Sequence, residues 1–187
     1  MRRLLFLVVL FTSLLFILPS CLTVEKKEYH FEFTAKNSGV LTMKYVNILS
    51  VFEVDEDIDT DFNELINSYL KGDLIDKEFR FSKIISKRLY EENGVLCGEV
   101  KLEFSELVAA HLFQYEEAGP IMFNFNKDSK MEKYSSSNGN YGGEVMPVVF
   151  WLDSLSCLEL FTNITQPDTT CISLLEKFKE WEKESTQ

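Results

Sequence analysis

Glu28-Tyr29-His30-Phe31-Glu32-Phe33-Thr34 alternates polar and aromatic side chains without a break, so Tyr29, Phe31 and Phe33 share one face. A period of two is the mark of a strand with one buried side. Lys36-Asn37-Ser38-Gly39 reads as a turn. Residues 40–51 then carry Leu41, Met43 and Tyr45 on one face, so the two segments form a first β-hairpin. Asn93-Gly94 is a second hairpin signal, between residues 79–91 and 95–104. A three-residue turn, Glu92-Asn93-Gly94, pairs Tyr90 with Leu96, Ser86 with Val100 and Ile84 with Leu102. It also sets Lys87 against Glu99 on the outer face, whereas a two-residue turn would set Lys87 opposite Val100. Register follows the buried face, so the three-residue turn is expected.

Helical spacing occurs twice. Phe62, Leu65, Ile66, Tyr69 and Leu70 recur at i, i+3, i+4, i+7 and i+8, with Asp61 and Glu64 as a cap pattern and Gly72 as a stop. From about residue 170 to 183, Cys171, Leu174, Leu175, Phe178 and Trp181 fall on one face of a second helix. Residues 105–110 suit one helical turn, and 111–115 with 121–126 suit a further hairpin across Gly119-Pro120. Residues 128–143 read as a polar, flexible segment, and 145–152 and 155–164 as apolar strands with Asp153-Ser154 turning between them. The expected architecture is α+β: a hairpin-connected antiparallel sheet with two amphipathic helices packed on one face. Residues 28–187 make a single domain, with no repeat.

Ahead of it, Met1-Arg2-Arg3 leads into an uncharged apolar run over residues 4–18, then Leu18-Pro19-Ser20-Cys21. A basic start and a short apolar run describe a secretory signal peptide, residues 1–20. The run is short of the roughly 20 apolar residues that span a bilayer. Leu18-Pro19-Ser20-Cys21 resembles the lipobox of bacterial lipoproteins, which implies that Cys21 is acylated and that residues 21–27 form a lipidated tether. A plain secretory cut after Ser20 fits less well, because it leaves Leu18 where a small residue belongs. The strand–strand–helix–hairpin order over residues 21–115, with Ser38-Gly39, Gly94 and Gly98, is similar to LppM-like and other small envelope lipoproteins. That resemblance implies no catalytic residue. Leu22 after the cysteine implies passage to the outer membrane, facing the periplasm, in a host with two membranes.

The 187 residues carry a net charge of −11; without residues 1–20, 30 acids face 17 bases, or −13. A surface so acidic repels nucleic acid and anionic headgroups, so attachment falls to the lipid. Sixteen Phe and 45% apolar residues argue for a packed core rather than disorder. Three cysteines follow Cys21. Export makes one disulfide possible, and Cys157 with Cys171 is the pair favoured, both lying in the C-terminal third; Cys97 reads as a small buried residue.

No nucleophile elbow, cysteine–histidine signature or phosphate loop is present. Asp55, Asp57, Asp59 and Asp61 invite a calcium loop, but Thr60 stands where glycine is needed and Ile66 where a bidentate Glu is needed. They read instead as an acidic helix N-terminus, with 53–61 a solvated loop. His30 reads as a solvent-facing strand residue, His111 has no partner at ligand spacing, and nothing in the spacing joins either to Cys97 as a zinc site. No metal and no cofactor are expected. Tyr134, Tyr141, Phe150 and Trp151 border a glycine-rich loop and are the candidate ligand or partner surface. The expected protein is therefore a non-enzymatic envelope lipoprotein that acts through protein contacts. A small-molecule-binding or sensing domain using residues 134–151 is the alternative.

Overall fold

Strands β1 (Leu22–Ala35) and β2 (Ser38–Val51) pair over nearly their whole length, from Leu22 with Ser50 to Ala35 with Ser38. A computed structural model describes residues 22–51, 57–125 and 131–185. The proposed signal segment and Cys21 lie outside the described residues. Residues 22–27, expected as a tether, are instead the first part of β1.

The second hairpin corrects the expected register. Between β3 (Ser82–Glu92) and β4 (Val95–Phe104) the turn has two residues, with Glu92 opposite Val95, Tyr90 opposite Cys97 and Lys87 opposite Val100. Asn93 and Gly94 both take positive φ, 53° and 79°, the requirement of a type I′ turn. The buried face still prevails further along: an irregularity between Ile84 and Ser86 restores Ile84 opposite Leu102. A bulge adds one residue to one strand and so reconciles the two demands. Leu96 and Leu102 are buried, whereas Ile84 and Tyr90 are only half-buried. Arg88, not Lys87, pairs with Glu99, at 2.8 Å.

The first sheet runs β3-β4-β2-β1-β10-β7, where β10 is Cys157–Ile164 and β7 is Glu132–Ser137; β11 (Cys171–Ser173) adds to β2. A second antiparallel sheet runs β5 (Leu112–Phe113), β6 (Ile121–Asn124), β9 (Val148–Trp151) and β8 (Asn140–Tyr141). The hairpin expected of residues 111–115 and 121–126 is present as a short pairing, Leu112 with Phe123 and Phe113 with Met122, and so is the helical turn, at Leu107–Ala110.

The α+β expectation is overturned. Strands make up 51% of the described residues and helix about 21%, in short pieces. The reason lies in residues 112–151, whose apolar positions pair into a sheet of their own. Phe123, Val149 and Trp151 pack on Phe31, Leu41, Leu102 and Leu160 of the first sheet. The segment expected to be flexible holds β7 and β8, one in each sheet, and the strands flanking Asp153-Ser154 also go to different sheets.

Helix covers only the remaining end. Helix α1 (Ile58–Glu64) begins at Asp57, whose carboxylate accepts from the Asp59 N–H at 3.1 Å, four residues before the expected cap. It continues as a π-helical stretch, Leu65–Leu70, and a short α2 (Leu74–Glu78) follows. Helix α3 (Leu175–Ser185) closes the chain. Phe62, Leu65, Ile66, Leu174, Leu175 and Phe178 bury Ile48 and Leu96. Cys171 is not on that helix. Strand β4 leaves β2 at the Val46–Cys97 pair, and residues 171–173 occupy the open edge beside Leu49–Val51.

The acidic segment is not a solvated loop where it is described. Asp61 is buried and accepts from Ser50 Oγ at 2.5 Å, and Asp59 pairs with Lys177 of α3. Residues 53–56, the rest of that expectation, lie outside the described residues.

Candidate functional site

The first sheet's inner face is shared between two apolar clusters, one under the second sheet and one under the helices. Between them lies a cleft of about 370 Å³. Its floor crosses the sheet through Leu89, Gly98, Tyr45 and Val24. Leu65, Tyr69 and Ile75 stand on one side, Met131 and Ile164 on the other. Two backbone features create it. A Cβ on Gly98 would reach within 3.2 Å of Ile48 Cδ1 and 3.4 Å of Leu89 Cδ2, so glycine leaves the floor low. Asn47, with φ 56°, interrupts the pleat of β2, and Tyr45 and Ile48 both turn toward the helices.

Polar groups converge at the β7 side. Glu132 is held by three donors: Lys27 Nζ at 3.1 Å, Tyr29 O–H at 2.9 Å and Thr162 O–H at 2.7 Å. A carboxylate with this many donors is fixed in place. Burial, then Glu132, pushes the Tyr29 phenol well above its ordinary value. Burial, then Glu78 and Glu132, does the same for Tyr45, whose ring lines the cleft. Both phenols are therefore neutral donors. On the opposite side Lys87 Nζ donates to the Gly72 carbonyl at 2.5 Å and lies 3.4 Å from Asp76, tying α2 to the sheet. The result is a mainly apolar trough with Lys27 and Glu132 on one side, Glu78 and Lys87 on the other, and the Tyr45 and Tyr69 rings along it.

The residues expected to carry a ligand lie elsewhere. Tyr134 and Tyr141 stack at 4.1 Å with ring planes 9° apart, and Phe125 meets both edge-on. Trp151 is 1% exposed. Its indole N–H donates to Asn138 Oδ1 at 2.7 Å. Phe150 sits half-buried on β9, opposite Met122 and Asn140. Residues 138 and 139 form the corner where the chain leaves one sheet for the other. At Gly139 a Cβ would come within 2.6 Å of the Trp151 indole nitrogen and 2.7 Å of the Phe150 carbonyl oxygen, so only glycine fits. Tyr134, Tyr141 and Trp151 pack into the core between the sheets, whereas Phe150 alternates with the buried Val149 and Trp151 and lies on the other face of β9.

The expected Cys157–Cys171 disulfide is also absent, all three described cysteines being free. Cys157 lies opposite Glu32 and Cys171 opposite Val51, at opposite ends of the sheet. Glu32 pairs with Val40, so eleven residue steps of β2 separate those levels, about 36 Å at about 3.3 Å per residue, against the roughly 7 Å that a disulfide tolerates. Cys97 is buried as expected, and His111 stacks on Phe79 at 4.6 Å.

Sequence reasoning missed the cleft, since Lys27 and Glu132 stand 105 positions apart. Their one signal was a lysine on the aromatic face of β1, in phase with Tyr29. Among the described residues no helix is long and apolar enough to cross a membrane. Comparison with known protein families, with curated proteins and with solved structures finds no match for this chain.

Proposed function

We propose that this chain is a lipid-anchored, non-enzymatic binding module of the cell envelope, whose cleft takes a small amphipathic molecule. Cys21 is the anchor, in the outer membrane and facing the periplasm where the host has two membranes. The observation that carries the ligand reading is the mainly apolar cleft of about 370 Å³ with the Lys27–Glu132 pair on one side. Its size falls within the range of about 300–1,000 Å³ usual for small-molecule sites. Leu22 and Thr23 help to line it, one and two residues past the proposed anchor, so a ligand at the membrane surface has a short path in. Glu132's oxygens are engaged by Lys27, Tyr29 and Thr162, an arrangement that suits holding a ligand rather than transferring a proton.

Titration with the fluorescent apolar probe N-phenyl-1-naphthylamine, displaced by dodecanoate, tests the cleft. Gly98→Val or Leu89→Trp fills the trough and weakens probe binding about tenfold or more, a change of about 1.4 kcal/mol. Unchanged affinity in both variants, with folding intact, would overturn the reading. Anchoring is tested separately. Cys21→Ser moves the protein out of the detergent phase, and the wild-type mass carries acyl groups; a wild-type chain without lipid in the aqueous phase would end that part of the proposal.

A second reading, a protein partner docking on residues 134–151, is favoured by Val145 and Met146. They are 90% and 50% exposed in the turn before β9.

A further inference from the structure

On the outer face of the first sheet, remote from the cleft, β1 and β10 place four ligand-type side chains in a block. His30 pairs with Glu159 and Glu32 with Cys157 in register, and all four point away from the core, since Tyr29, Phe31, Leu158 and Leu160 point into it. His30 Nε2 lies 3.6 Å from Cys157 Sγ and 3.4 Å from Glu32 Oε1. His30 Nδ1 lies 3.5 Å from Glu159 Oε1 and 3.8 Å from Cys157 Sγ. The ligand atoms of His30, Cys157 and Glu159 all fall within 4.8 Å of one another.

We propose that His30, Cys157 and Glu159 form a binding site for a divalent transition metal of the zinc type, with Glu32 flanking it. Zinc bonds of about 2.0–2.1 Å to nitrogen, 2.3 Å to sulfur and 2.0–2.2 Å to oxygen give tetrahedral edges of about 3.4 Å for N···O and about 3.6 Å for N···S. On the Nδ1 side of the His30 ring, the separations of 3.5 Å to Glu159 Oε1 and 3.8 Å to Cys157 Sγ come within about 0.2 Å of those edges, whereas Glu32 lies on the Nε2 side. One imidazole, one thiol and one carboxylate make a mixed nitrogen, sulfur and oxygen set of the kind zinc takes, unlike the all-oxygen sets of calcium and magnesium. Two strands paired in register hold the four side chains, so little ordering is needed on binding.

The experiment is a zinc titration of the full-length protein in detergent after treatment with a chelator, read by calorimetry and by melting temperature. One zinc per chain binds and raises the melting temperature. His30→Ala and Cys157→Ser each weaken binding at least tenfold and abolish the rise, while Cys97→Ser and Cys171→Ser bind as the wild type does. All four variants retain the chelator-treated melting temperature to within a few degrees, because His30 and Cys157 are not core residues. Cobalt in place of zinc gives a thiolate-to-metal charge-transfer band that Cys157→Ser removes. No stoichiometric zinc binding by the wild type, undiminished binding by the His30 and Cys157 variants, or a cobalt spectrum without the thiolate band would each overturn the proposal.

Discussion

Replacing Asn138 by alanine removes a side chain bonded to both sheets at their shared corner. Its Oδ1 accepts from the Trp151 indole N–H at 2.7 Å and from the Glu159 backbone N–H at 2.8 Å, and its Nδ2 donates to the Cys157 carbonyl at 3.1 Å. The three bonds are not equivalent. The indole is buried, and leaving it without a partner costs about 1–3 kcal/mol. The two groups on β10 lie toward solvent, where water replaces the amide, and each loses only about 0.5 kcal/mol, the low end for a net hydrogen bond. Asn138→Ala should therefore cost about 2–4 kcal/mol, which urea denaturation followed by circular dichroism measures. Asn138→Asp is the control. It keeps both accepted bonds and loses only the donated one, so it should cost about 1 kcal/mol. An alanine variant within 0.5 kcal/mol of wild type, or an aspartate variant as damaged as the alanine one, would refute the corner-clamp argument.

Other outcomes follow from the helical end and from the buried phenols. Leu65→Ala should cost about 2–5 kcal/mol in urea, as truncation of a buried leucine does. Asp57→Ala should cost about 0.5–2 kcal/mol through loss of the cap, and Asp57→Asn less than about 0.5 kcal/mol because the amide oxygen still accepts. Tyr29 and Tyr45 hold their protons more tightly folded than unfolded. Their contribution is fully present below the unfolded value of about 10 and is lost as pH rises through the higher folded values. Urea midpoints should therefore fall above about pH 10, and less steeply in Tyr45→Phe; equal slopes would contradict the buried-phenol argument.

Local chemistry was legible in the chain; pairing at a distance was not. The alternation at Tyr29, Phe31 and Phe33 gave the first strand, and the apolar stripe from Phe62 to Leu70 gave the first helix, because each signal lies within a few residues. Asn93-Gly94 announced its turn, but the register needed the bulge at Ile85, which no pattern announces. Residues 145–164 read as two strands with a turn between, which is correct locally. Hairpin logic then pairs neighbours, whereas here β9 joins β6 and β10 joins β1. That one difference turned a half-covered sheet awaiting helices into two packed sheets. It also moved Trp151 from a loop rim into the core. The cleft and the outer-face block rest on Lys27 with Glu132 and on His30 with Cys157, pairs 105 and 127 residues apart that only the assembled sheet brings together.

The measurement closest to the central claim is a backbone amide NMR titration of the protein with dodecanoate. The account predicts shifts concentrated on Tyr45, Leu89, Gly98 and Glu132, with segment 134–151 unmoved and the shifts lost in Gly98→Val. Shifts that centre on Tyr141, Val145 and Phe150, or that are absent at saturating dodecanoate, would contradict it.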